Sequence, residues 1–92
     1  METEYIFPIF SEALNKSGIN DYTKLIFEEP KNESHGDLST NIVLRLTKDL
    51  KKPPQAIAEE LISNLNYDNN YIKSVNFLSG FINVTFTEKF YS

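Results

Sequence analysis

Cysteine is absent from the 92 residues, which excludes both a disulfide framework and a thiolate metal site. There is one histidine, His35, and a lone histidine does not make a zinc site without other ligands. The three glycines, Gly18, Gly36 and Gly80, stand apart from one another, so no glycine-rich phosphate loop is present. Cations are scarce as well: nine Lys and Arg face thirteen Asp and Glu, a net charge of −4. That balance argues against a stand-alone nucleic-acid binder, which ordinarily presents excess cations to phosphates. It leaves room for a domain that adds one local contact while another part of a larger protein holds the backbone. No apolar run approaches the ~20 residues of a membrane span. The start, Met1-Glu2-Thr3-Glu4, lacks the basic and then apolar regions of a signal peptide. The expectation is a soluble cytoplasmic protein with no membrane, metal or cofactor partner of its own.

What the chain does have is patterning. Its length suits one domain, residues 1–92, with a single modest core. Ile6, Ile9, Phe10, Ala13 and Leu14 follow helical spacing, with Pro8 either opening or kinking the helix and Gly18 ending it. Lys24–Glu29 reads as a short strand stopped by Pro30. After the loop Lys31–Ser34, Asp37 is placed to cap a second helix whose buried stripe is Leu38, Ile42, Val43, Leu46 and Leu50. Lys51-Lys52-Pro53-Pro54 breaks the chain, and Pro54 suits the first position of a third helix carrying Ile57, Ala58, Leu61, Ile62 and Leu65. Tyr71–Leu78 and Phe81–Thr87 read as two strands reversed at Ser79-Gly80, hence a hairpin. The order α-β-α-α-β-β predicts an α+β domain in two layers, a small antiparallel sheet with amphipathic helices on one face.

The last strand organises the rest. Alternate side chains of a strand point to opposite faces, so Ile82, Val84 and Phe86 should lie under the helices. Phe81, Asn83 and Thr85 should then lie on the uncovered face. A ring and an amide two residues apart can stack on a flat base and hydrogen-bond its edge; the simpler reading packs Phe81 under a neighbouring element. Elsewhere the chemistry is thin. Ser34, His35 and Asp37 sit on one loop, and neighbours on one loop rarely converge on one reacting atom. Glu28-Glu29 and Glu59-Glu60 each split across two faces and read as solvated charge. Arg45, Lys48, Lys51 and Lys52 form the one basic cluster, at the end of the second helix, where the helix dipole favours cations and phosphate contacts are open to it.

Three segments in register carry a resemblance: Pro30-(four residues)-His35-Gly36-Asp37-Leu38-Ser39-Thr40-Asn41, then Leu44-(three)-Lys48-(four)-Pro53-(three)-Ile57-Ala58-Glu59, then Gly80-Phe81-Ile82-Asn83. Together they resemble the N-terminal domain of arginyl-tRNA synthetase over nearly the whole chain. One departure is visible: the family often has a proline just before the Gly-Phe pair, where this chain has Leu78-Ser79. The resemblance implies a domain appended to a class I catalytic domain that lies outside these residues. It implies docking on the outer corner of arginine tRNA near the D-loop, with ATP used by the catalytic domain and none bound here. The family's D-loop base contacts come from an aromatic and an amide on the last strand, which match Phe81 and Asn83. It also implies that His35-Gly36-Asp37 is structural. The rival reading is a protein-interaction module that uses the open sheet face around Phe81.

Overall fold

The computed structural model describes residues 1–92. Helix α1 spans Glu2–Lys16 and buries Ile6, Phe10, Ala13 and Leu14, a stripe at helical spacing. Pro8 lies inside it, so the Glu4 carbonyl loses its intrahelical donor. The helix ends at Gly18, whose φ of +83° is the left-handed conformation that lets the Ile19 N–H reach the Leu14 carbonyl at 3.0 Å and the Gly18 N–H reach Asn15 at 2.9 Å.

Helices α2 (Ile42–Leu50) and α3 (Pro54–Asn64) follow, with Pro54 at the start of α3. With α1 they form the helical layer. Strands β1 (Leu38–Thr40), β2 (Ile72–Leu78) and β3 (Phe81–Phe86) form an antiparallel sheet in the order β1-β3-β2. The order α-β-α-α-β-β and the two-layer α+β class are as the sequence predicts. The strand before α2, however, is a different one. Lys24–Glu29 is not a strand: Leu25 is buried, Ile26 is 56% exposed, and only Glu28 pairs, bridging Ser39. The strand is Leu38–Thr40, which the helical stripe had claimed through Leu38. Register with β3 prevails there, matching Leu38 to Val84, Ser39 to Asn83 and Thr40 to Ile82.

Asp37 is therefore not a helix cap. Its carboxylate accepts the Phe86 N–H at 2.8 Å, and its own N–H donates to the Val84 carbonyl at 2.8 Å, which extends the β1–β3 ladder by one residue. The cap position of α2 falls to Asn41, which makes no side-chain cap bond, and the residue before it, Thr40, accepts the Ile42 N–H on its Oγ1 at 3.2 Å. Asp37→Ala should lower stability by about 1.5–3 kcal/mol, since it strips a charged acceptor from a part-buried N–H. Asp37→Asn, which keeps an acceptor oxygen, should cost clearly less. Thermal melts of the two variants check this; equal losses would contradict the role.

The hairpin is tight. Leu78 pairs with Phe81, and the two loop residues Ser79 and Gly80 have φ of +54° and +85°, the left-handed pair that a two-residue turn of matching twist requires. A proline is held near φ −65°, so it could not occupy position 79 in this turn. An added Cβ on Gly80 would lie 2.7 Å from Leu44 Cδ1, so the hairpin tip rests directly on α2. Further along β2 the register shifts between Ile72 and Ser74, leaving Lys73 as an extra, bulged residue.

Ile82, Val84 and Phe86 point into the core as the alternation predicts; Ile82 and Val84 are fully buried. A short helix α4 (Glu88–Tyr91), not anticipated from sequence, closes the chain and is capped by Thr87. It brings Phe90 onto Phe86, stacked at 4.4 Å, and edge-on to Tyr5 at 5.2 Å. No helix is long and apolar enough to cross a membrane.

Two tyrosines carry the imprint of this corner. Burial, then the Asp37 and Glu2 carboxylates, push the Tyr91 hydroxyl up to about 12. Burial, then Asp68 and Tyr71, raise that of Tyr5. The fold thus favours the neutral phenols. Their contribution is complete below the ordinary value near 10 and is lost as pH climbs above it, in the case of Tyr91 toward about 12. An ultraviolet titration of tyrosinate should show Tyr5 and Tyr91 ionising late, and Tyr91→Phe should remove the later of the two. A single step near the ordinary value would contradict this packing.

Candidate functional site

On the outer face of the sheet, Phe81 and Asn83 stand two residues apart on β3. Directly across from Asn83 lie Ser39 on β1 and Asn76 on β2; across from Phe81 lies Leu78. Outside β1 runs the segment Glu28–Lys31, fixed by two backbone hydrogen bonds between Glu28 and Ser39, 2.9 and 2.8 Å long. Sheet and segment enclose a cleft of about 220 Å³. Its floor carries Phe81, Asn83 and Ser39; Glu28–Lys31 and His35 line it from the β1 side, and Leu78 and Ser79 from the hairpin.

The structure brings Phe81 and Asn83 together as the strand alternation requires, but it does not leave both exposed. Phe81 is half-buried, whereas Asn83 is only 2% exposed. The open face anticipated at this point is thus partly walled. The Asn83 Nδ2 group is buried and has no hydrogen-bond partner. It is the only such side-chain atom in the molecule, and an unsatisfied buried donor costs about 1–3 kcal/mol. Folding alone gives no reason for an amide there.

The loop behind the cleft is built to hold still. Asn32 Oδ1 accepts both the N–H and the hydroxyl of Ser34, at 2.9 and 2.7 Å, and the His35 N–H reaches the Asn32 carbonyl at 2.9 Å. Gly36 adopts φ +126°, and an added Cβ would sit 2.8 Å from the Val84 carbonyl oxygen. With the two Asp37 bonds, this loop is fastened straight onto β3. The structural reading of Gly36 and Asp37 holds, by a different mechanism from capping. His35 lines the cleft, a placement that neither spacing nor composition signalled, because the loop reaches β3 through pairing nearly fifty residues apart in sequence.

At the hairpin end, Leu44 of α2 touches Gly80, Lys48 follows on the same helical face at i+4, and Lys51 lies just past the helix end in a left-handed conformation. Arg45, Lys48 and Lys51 are exposed and take no part in the molecule's ion pairs. Lys52 differs from the other three, being tied to Glu60 at 2.9 Å. Hydrogen bonds from the Ser17 hydroxyl and then from Lys52 hold the Glu60 carboxyl below its usual range. At the other end of β3, Glu2, Glu29, Glu33 and Asp37 surround a second, acidic depression.

Residues 5–86 match the family described as the arginyl tRNA synthetase N terminal domain. The chain belongs to that family. An arginine–tRNA ligase of Aquifex aeolicus is 49% identical over 63 residues, covering 68% of this chain and 11% of the relative. That of Pelodictyon phaeoclathratiforme is 33% identical over 88 residues, 95% of this chain and 16% of the relative. The fold is shared with the arginyl-tRNA synthetase of Thermus thermophilus, at TM-score 0.77 and 23% identity over 95% of this chain and 14% of that one. The relatives are arginine–tRNA ligases, and this arginyl-tRNA synthetase N-terminal domain spans only about a tenth to a sixth of their length.

Proposed function

We propose that this domain docks on the outer corner of arginine tRNA and holds one unpaired D-loop base in the cleft, thereby helping a class I catalytic domain of the same synthetase select its tRNA. The observation that carries this reading is the cleft that Phe81 and Asn83 line together from one face of β3. A base stacked on Phe81 would lie against Asn83, and a turn of that side chain toward the cleft would give its buried, partnerless Nδ2 an acceptor. The cleft volume lies below the roughly 300–1,000 Å³ typical of drug-sized ligands, which suits a single base. ATP and arginine would be handled in the catalytic domain, in the cytoplasm where aminoacylation supplies translation.

Phosphates would be drawn to Arg45, Lys48 and Lys51, exposed cations that no carboxylate pairs. With few such contacts and a net charge of −4, the isolated domain should bind tRNA weakly and with a shallow salt dependence. In the synthetase, Lys48→Ala should weaken binding equally for all D-loop sequences and reduce the logarithmic salt slope by about one. Lys52→Ala should leave the slope alone, since that ammonium is already committed to Glu60. Titrations at several salt concentrations check both.

Chemical probing of arginine tRNA bound to the synthetase tests the docking itself. D-loop nucleotides should be protected by the wild type and exposed again by Phe81→Ala. Equal reactivity with and without the enzyme would overturn the proposal.

A further inference from the structure

His35 lines the same cleft as Phe81 and Asn83, on a loop whose geometry is fixed entirely by other groups. The Asn32 side chain holds the turn, Gly36 lies flat against Val84, and Asp37 bonds β3 through both its N–H and its carboxylate. The imidazole makes none of these hydrogen bonds. It is half-buried, not part of the hydrophobic core, and not paired in any ion pair. A loop fastened at three points thus sets His35, whose ring makes no hydrogen bond, along a cleft that Phe81 and Asn83 also line.

We infer that His35 is a third ligand-contacting residue of the cleft, one that hydrogen-bonds the base held by Phe81 and Asn83. The inference rests on the base-binding reading above and adds a residue to it. Neutral imidazole carries one donor and one acceptor nitrogen, whereas the Asn83 Nδ2 offers donors only. A base edge that bears both an acceptor and an amine can then be met at two points, one from the strand and one from the loop. The charged groups that line the cleft are Glu28, Glu29 and Lys31, two carboxylates against one ammonium. This balance disfavours phosphate in the cleft and leaves the base as what His35 meets.

The test is the affinity of the synthetase for arginine tRNA and for the same tRNA made abasic at successive D-loop positions. One neutral hydrogen bond corresponds to about a 3- to 10-fold loss of affinity. His35→Ala should show that loss on intact tRNA, with an unchanged melting temperature, and no loss on the tRNA lacking the recognised base. His35→Phe keeps the ring's bulk without its nitrogens and should bind as weakly as His35→Ala, which separates hydrogen bonding from packing. Full affinity in His35→Phe, or a His35→Ala loss that persists on the abasic tRNA, overturns the inference. If His35→Ala binds like the wild type while Phe81→Ala does not, His35 is excluded and the cleft reading stands. If none of the cleft variants differs from the wild type, the base-binding reading falls and the inference with it.

Discussion

Gly36→Ala is expected to lower the melting temperature by about 10–25 °C, the largest stability effect of any single small substitution in this domain. Two costs add. A side chain at φ +126° is strained whatever space surrounds it. The new methyl would also meet the Val84 carbonyl oxygen at 2.8 Å and the Thr85 hydroxyl at 3.0 Å. The loop cannot retreat without breaking the bonds that Asp37 makes to Val84 and Phe86. The sum is about 2–4 kcal/mol, a large share of what a domain of this size has to lose. Thermal denaturation followed by circular dichroism measures it. Gly18→Ala is the comparison: its φ of +83° is strained too, yet nothing lies within 4 Å of the added carbon, so the loss should be smaller. Equal losses at the two glycines would mean that the contact with β3 contributes nothing.

Phe81→Ala is expected to have the largest effect on tRNA. Stacking one base on an aromatic ring contributes about 1–3 kcal/mol, so affinity for arginine tRNA should fall by about ten- to a hundredfold. Phe81 is half-buried and lies outside the sixteen-residue core cluster, so its truncation should leave the fold largely stable. Because a ring accepts any base, the loss should be similar for every D-loop base. Binding measured beside a melting curve separates the two effects. A loss of stability large enough to account for the loss of binding would return Phe81 to a packing role.

The parts of the fold legible in the sequence were those written in local period. The stripes of α1, α2 and α3 and the two faces of β3 follow from spacing alone, and Ser79-Gly80 announced the hairpin. What the sequence hid depends on partners far along the chain. Leu38–Thr40 fits a helical stripe as well as a strand, and β3, more than forty residues later, decides between them. Asp37 has the chemistry of a cap and the position of one, yet the Phe86 N–H takes its carboxylate. The site was legible in part for the same reason. Alternation put Phe81 and Asn83 on one face, but the segment that walls the cleft is irregular chain with a single bridge to β1, and irregular chain has no period to read. Hence the burial of Asn83 and the place of His35 became visible only in three dimensions.

The most direct measurement is aminoacylation of arginine tRNAs that differ only at one D-loop base, by the wild-type synthetase and by Asn83→Ala, with Val84→Ala as a core control. An amide reads a base edge, so Asn83→Ala should flatten the preference among the D-loop bases while costing less overall than Phe81→Ala. Val84 is fully buried under the helices, and Val84→Ala should destabilise the domain without altering that preference. If Asn83→Ala ranks the tRNAs as the wild type does, the cleft is not a base-reading site, and the face around Phe81 belongs to a protein partner instead.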